Sequence, residues 1–360
     1  MITHRVCLVL LALLLGNTFS RCVGQDLPAP DDVPPSPPLQ VRVELVDNNL
    51  QDLAGIAIRP GGTAERYEIF VLVRATGNLV RFNSHKPAEM ANTITGFQVA
   101  QPGSGEKVPL GVLALAFLDR SHLLVMSDPS DDGRHSLRIF ELPTGGESLV
   151  ASEPQQEILS TPPPTHSAAG EQPLYGITRD AERVYLCCVG SQFAISQASL
   201  QGNALGEITV WATAEPGDEP SGAACVTVNS RRDKGYVVAG IPAATPQQSR
   251  LVFYHPVTAE RLLSLPIPLL EVAGLAYGPS SGLLYAIDVA RRDEARGGVY
   301  RLDAGSAAGR QTCTAVAIAP LVRPTAMAFG PDGTLYVIAH NQADVEESSL
   351  SRLYRVTGHL

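Results

Sequence analysis

Charge is scarce in this chain, and helical patterning is scarcer. Only 18% of the 360 residues are Asp, Glu, Lys or Arg, and the formal net charge is −9. Lys and Arg never gather beyond pairs such as Arg231-Arg232 and Arg291-Arg292. That disfavours nucleic acid, and none is expected as a partner, because binding it needs a concentrated basic patch that displaces counterions. No stretch of about a dozen residues carries a 3.6-residue apolar period, so no substantial helix is expected. The apolar run at 6–15 (VCLVLLALLL) is too short for a transmembrane span, since about 20 residues are needed to cross ~30 Å of hydrocarbon. Catalytic signatures are missing as well. The eight His residues show no HExxH spacing, and Gly103-Ser104-Gly105 lacks the strand–turn–helix context of a nucleophile elbow.

The short apolar run has a different use. His4-Arg5 precede it, polar Asn17-Thr18 follow it, and Cys22 and Gly24 allow cleavage before Gln25. This is the layout of a secretory signal over residues 1–24. The expected location is secreted, periplasmic or cell-envelope. Residues 25–40 (QDLPAPDDVPPSPPLQ) are too rich in Pro to pack and read as an extended tether. Four cysteines remain after cleavage: Cys187, Cys188, Cys225 and Cys313. Cys187 and Cys188 are neighbours in a strand and should face opposite sides. Buried thiols are the simplest reading, with Cys188–Cys225 as the one pair placed to bridge.

The rest of the chain is a repeat. PTAMAFGPDGTLYVIAH from Pro324 and VAGLAYGPSSGLLYAID from Val272 share one plan: a small-residue strand, a Gly/Pro turn, and a second apolar strand with Tyr at a fixed place. Weaker copies begin at Leu53, Val112, Leu174 and Gly222. The small residues Gly55, Ala114, Gly176, Ala224, Gly274 and Ala326 recur at intervals of 59, 62, 48, 50 and 52. Strand units at roughly this period are propeller blades. The fold class expected is all-β: a six-bladed β-propeller with four-stranded blades, occupying 41–360 as a single domain. Fourth strands are expected at 94–99, 156–159, 208–212, 261–266 and 314–319. The last blade runs out of chain after three strands. The unassigned alternating segment 41–46 is expected to supply its outer strand and close the ring, which removes an open edge.

At these residues the chain resembles the six-bladed propellers of the NHL-repeat and gluconolactonase-like superfamily, most clearly in GPDGTLYVIAH and GPSSGLLYAID. In that architecture first-strand starts and second-strand ends share one face, around the mouth of the central channel. This places Asp52, Asp128, Glu171, Glu219, Glu271, Asp288 and Arg323 there as candidate ligand-binding residues. Asp128 and Asp288 sit at the Asp position of the repeat, on blades two and five, where an Asp also commonly accepts backbone N–H bonds from the next loop.

The resemblance also implies a divalent cation, Ca²⁺ or another, held by a Glu, two Asn and an Asp. Asp52 or Glu271 matches the Glu and Asp288 matches the Asp. The Asn have no counterparts, since Asn229 lies in a turn and Asn341 in the last mouth loop. Acidic-channel phytase-like esterases share the carboxylate-rich mouth. Two functions follow as expectations. The first is an exported, monomeric, non-catalytic propeller that binds a small-molecule or protein ligand at the channel mouth and its loops. The alternative is a metal-dependent hydrolase of lactones or phosphoesters, with Asp52, Glu271 and Asp288 on the cation and His340 as general base.

Overall fold

The computed structural model describes residues 41–47, 50, 52–97, 112–127, 136–143, 147–159, 175–188, 194–213, 225–229, 235–242, 249–291, 293–340, 351–358 and 360. Its strands fall into six sheets of at least four strands each. β1 is Val41–Leu45. Blade 1 is β2 Leu53–Ile58, β3 Glu68–Val73, β4 Asn78–Asn83 and β5 Lys86–Thr95. Blade 2 is β6 Val112–Phe117, β7 His122–Ser127, β8 Ser136–Glu141 and β10 Gln156–Leu159, with a short β9 Leu149–Val150 between its last two strands. Blade 3 is β11 Tyr175–Arg179, β12 Arg183–Cys188, β13 Ala194–Gln201 and β14 Ala204–Thr213. Blade 4 is β15 Cys225–Asn229, β16 Tyr236–Ile241, β17 Ser249–Tyr254 and β18 Arg261–Ile267. Blade 5 is β19 Val272–Tyr277, β20 Leu284–Asp288, β21 Gly298–Ala307 and β22 Arg310–Pro320. Blade 6 is β23 Val322–Phe329, β24 Leu335–His340 and β25 Ser351–Gly358.

The ring closes as expected. β1 pairs antiparallel with β25, Val41 opposite Gly358 through Leu45 opposite Tyr354. The innermost strands touch in sequence, β2 to β6 and onward, and β23 returns to β2. Two details differ from expectation. The fourth strand of blade 1 is β5, beginning at Lys86 rather than at 94, because Ser84 and His85 make a tight turn that pairs Asn83 with Lys86. The second difference is β9, which leaves blade 2 and pairs in parallel with β5, Ile94 opposite Leu149. Blade 1 therefore has a fifth strand.

Buried apolar side chains form six clusters, one in each gap between neighbouring blades. Alternation along a strand divides its residues between two gaps. In β3, Phe70 and Leu72 pack toward blade 2, while Ile69 and Val71 pack toward blade 6. Second strands are thus buried on both faces. This is why EIFVLV and LYVIAH read as unbroken apolar runs rather than as alternating ones. Burying each large side chain is worth about 1.5–3 kcal/mol. The repeat tyrosines Tyr185, Tyr285 and Tyr336 lie on these strands and are buried. Tyr185 donates to Asp180 Oδ2 at 3.0 Å, in the turn of its own blade. The hydroxyls of Tyr336 and Tyr67 meet at 3.0 Å, and Tyr67 also donates to Asp332 Oδ1 at 3.0 Å, which joins blade 6 to blade 1.

The small first-strand residues answer to crowding near the axis. A Cβ on Gly176 would lie 2.9 Å from Cys225 Cα and 2.9 Å from Val226 N, both backbone atoms of the next blade. One on Gly274 would meet Ile287 Cδ1 at 2.9 Å, and one on Gly55 would meet Leu115 Cγ at 3.3 Å.

Two outcomes follow. Deletion through residue 46 removes β1 and bares β25, so that variant should aggregate and melt lower, whereas deletion through residue 35 should change neither property. Matching solubility and melting in the two truncations would refute closure by β1. Gly176→Ala should lower stability by about 1–3 kcal/mol through overpacking, read from denaturant unfolding, and unchanged stability would contradict the close approach.

Candidate functional site

The strand registers set the level of the mouth. Leu53 lies opposite Val73, Val272 opposite Asp288, and Val322 opposite His340. First-strand starts and second-strand ends thus share one end of the ring. Asp52, Glu271, Asp288, Arg323 and His340 stand at that end. Asp128, Glu171 and Glu219 lie outside the described residues. Asn341 does too, whereas Asn229 ends β15 away from the mouth.

Four of the six first strands begin with a register shift: between Leu53 and Ile56, Val112 and Ala114, Val272 and Gly274, and Val322 and Ala326. Each shift is a bulge or a looser irregularity near the start of its first strand. Bulges re-aim neighbouring side chains and gather at rims and sites. Left-handed backbone accompanies them, at Asp52 (φ 54°), Ala290 (φ 45°) and Arg323 (φ 44°).

Asp288 is 1% exposed. Its Oδ2 accepts the Leu270 N–H at 2.8 Å, and its Oδ1 accepts those of Glu271 at 2.7 Å and Ala290 at 3.2 Å. Burial pushes its carboxyl above the ordinary value, against the pull of those three donors, and the nearby Glu271 charge adds to the rise. A folded pKa above the unfolded one means that this group's contribution to stability falls as pH rises from the ordinary carboxylate range through the folded value. The carboxylate thus fixes the segment leading into blade 5. Ser249, buried at the start of β17, donates to the Leu270 carbonyl at 2.9 Å from blade 4. One peptide position is held from two blades.

A second lock repeats the idea between blades 6 and 1. Ser351 Oγ, at the start of β25, accepts the Leu53 N–H and donates to the Leu53 carbonyl, both at 2.7 Å. Ser136 begins β8 and is also buried. The sequence reading did not find these serines. Their signal is Ser-x-Leu at the head of third strands, in Ser249-Arg250-Leu251 and Ser351-Arg352-Leu353, with Ser136-Leu137-Arg138 a looser copy.

Two ionic pairs, Asp52–Arg74 and Glu294–Arg323, also stand at the mouth. Arg74 follows β3, and its Nε lies 3.2 Å from Asp52 Oδ1, while its N–H donates to the Asp52 carbonyl at 2.7 Å. Arg323 reaches Glu294 Oε1 at 2.5 Å, in the short 3-10 turn between β20 and β21. Glu271 Oε2 accepts the Arg291 N–H at 2.7 Å. His340, half-buried, ends β24.

As a donor set for a divalent ion, Asp52, Glu271 and Asp288 fit poorly. Asp288 turns both oxygens onto backbone donors, Asp52 faces a guanidinium, and Glu271 holds a backbone N–H. Among the described residues, no group of three His, Cys, Asp or Glu is placed to share a metal ion. Elsewhere, Cys187 and Cys225 are buried, and burial pushes the Cys225 thiol far above its usual range.

No protein-family model matches this chain, and no curated protein does. Solved structures do. A Thermus thermophilus protein proposed to be an oxidoreductase (glucose dehydrogenase) is 16% identical, covers 88% of this chain and 100% of its own, and superimposes with a TM-score of 0.56. Hydrazine synthase of Kuenenia stuttgartiensis is 13% identical over 84% of this chain and 81% of its own, with a TM-score of 0.48. A luciferin-regenerating enzyme is 11% identical over 88% of this chain and 95% of its own, with a TM-score of 0.48. At such identity the Thermus likeness establishes the propeller fold and nothing of the chemistry.

Asp288→Ala leaves three backbone N–H groups without their acceptor. Native stability should fall by about 1–3 kcal/mol, measured by chemical denaturation at neutral pH. A variant as stable as the parent would show that the carboxylate does not hold the lead-in to blade 5.

Proposed function

We propose that this protein is an exported, non-catalytic propeller that binds a small-molecule or protein ligand at its channel mouth. The observation that carries the reading is the division of labour among the mouth's charged groups. Asp288, the best match to a cation ligand, is sealed and serves the backbone. The pairs Asp52–Arg74 and Glu294–Arg323 are instead partly open to solvent. Rigid blades beneath variable loops are a common scaffold for binding. The repeat residues around Gly330 and Gly278 resemble those of NHL-like and gluconolactonase-like propellers. The leader pattern at 1–24 and the Pro-rich stretch at 25–40 support export of a monomeric protein.

Chemically, the mouth offers fixed donors and acceptors in ionic pairs. Such an arrangement is suited to binding and orienting a ligand.

The test starts from protein recovered in the exported fraction, whose N-terminus should be Gln25. Its metal content is measured, and Ca²⁺ is titrated calorimetrically. A panel of neutral, cationic and anionic small molecules is then screened by thermal shift. At least one compound should raise Tm by about 2 °C or more, and Asp52→Ala should abolish that rise. A stoichiometric divalent ion lost in Asp288→Ala would overturn the reading in favour of metal-dependent hydrolysis. Shifts of equal size in the parent and Asp52→Ala would remove the mouth as the site.

A further inference from the structure

The β21–β22 hairpin reaches past the rest of its blade. β20 pairs with β21 only from Asp288 opposite Gly298 to Leu284 opposite Leu302. β21 and β22 stay paired beyond that level, to Ala307 opposite Arg310. Residues 303–307 therefore have no strand on their inner side, and β22 has none on its outer side among the described strands. At about 3.4 Å per residue they carry the tip ~17 Å past Leu284, at the end of the ring opposite the mouth.

Little besides cross-strand pairing holds this ribbon beyond the Arg301–Asp303 ion pair. Residues 304–311 are all exposed, and the Ala, Gly and Ser of 304–308 have almost no apolar surface to bury. Cys313 is the first side chain to rejoin a core cluster. The tip turn has two left-handed residues, Ala308 (φ 49°) and Gly309 (φ 74°). A two-residue hairpin loop needs that conformation, and Ala adopts it at a steric cost that Gly avoids. A Cβ on Gly309 would meet nothing within 4 Å. A lone two-stranded hairpin is marginal in water, so this ribbon can open while blade 5 stays folded.

Arg310 follows the turn. It is exposed, and its guanidinium has no ion pair or hydrogen bond among the described residues. Gln311 comes next, and its peptide bond is unencumbered. Three other basic residues at strand ends or bulges, Arg59, Lys86 and Arg323, each precede Pro. A proline ring crowds the bond to be cut and its nitrogen carries no N–H.

We propose that the Arg310–Gln311 bond is a processing site for a trypsin-like endoprotease, and that the product is a closed two-chain ring. The opened ribbon enters such an enzyme as an extended strand, and a carboxylate in the enzyme's specificity pocket pairs with the guanidinium. Water is the co-reactant: its hydroxyl goes to the Arg310 carbonyl carbon, the C–N bond breaks, and its proton goes to the Gln311 nitrogen. The ring survives because the fragment 311–360 is held on both sides. It pairs through β22 with β21 and through β25 with β1, both on the other fragment. Its Ile338 and Leu353 stay packed with Leu53 and Ile69. The inference is independent of what the mouth binds.

The test treats the full mature protein with a catalytic amount of trypsin in native buffer. Mass spectrometry follows the new C-terminus at Arg310 and the new N-terminus at Gln311, whatever other bonds are cut. Both should appear without urea, and their rate should rise only weakly in urea below the unfolding transition, because the opening is local. Arg310→Gln should slow them about tenfold or more, whereas Arg310→Lys, which keeps the positive charge, should restore them. Both variants should melt with the parent. On a native sizing column the two products should elute together at the volume of the uncut protein.

Termini that stay absent from the native protein, or that rise with urea as steeply as global unfolding, overturn the processing site. Equal rates in parent and Arg310→Gln do so too. Products that separate on the native column overturn the two-chain ring.

Discussion

A blade with apolar side chains on both faces cannot stand alone in water, and every blade here is of that kind. The structure follows from this constraint. Each sheet buries one set of residues against the blade before it and the other set against the blade after it. A linear stack would leave two apolar faces in solvent. A ring leaves none, provided that the last gap is filled as densely as the others. That gap, between blades 6 and 1, receives Leu50, Leu53, Ile69, Phe82, Ile338 and Leu353, all nearly or wholly inaccessible. Polar contacts then fix the register of the join: Ser351 on the Leu53 peptide at the mouth, and Tyr67 with Tyr336 and Asp332 at the opposite end.

Crowding toward the axis is the complementary limit. Inner strands come so near one another that Gly176 has backbone on the far side of the space where a Cβ would go. A repeat selected under this limit keeps Gly or Ala at one first-strand position while its other residues drift. That is why the small residues were readable at regular spacing when the surrounding blades barely resembled each other. Strand number and closure were readable for the same reason, since a blade short of a strand must take one from elsewhere and only 41–46 was unclaimed. β9 was not readable. A two-residue parallel pairing carries no periodicity, and Leu149-Val150 looks like any short apolar pair in a loop.

The mouth was legible as a place more than as a chemistry. Asp288 stood out because it occupies a repeat position, and it accepts three backbone donors, a role that sequence spacing shares with metal ligation. The pairing of Asp52 with Arg74 spans two strands of one blade, and that of Arg323 with Glu294 spans two blades. Neither partner is near the other in sequence, so residue type alone could not join them. The serine locks left a trace in the chain, Ser-x-Leu at the head of third strands, but the trace has meaning only once third strands are known to face the next blade's first peptide.

The pairing of β1 with β25 also governs how the ring bears load. Val41 sits opposite Gly358, so whatever extends before the one and after the other departs from the same corner of the same blade. A pull between those two points does not shear the strands along their length, which would load all the cross-strand bonds together. It peels them apart, loading one pair at a time. The join that completes the ring is therefore its mechanical fuse. Tension applied across that corner opens blade 6 first, while the five other blades carry almost none of the force.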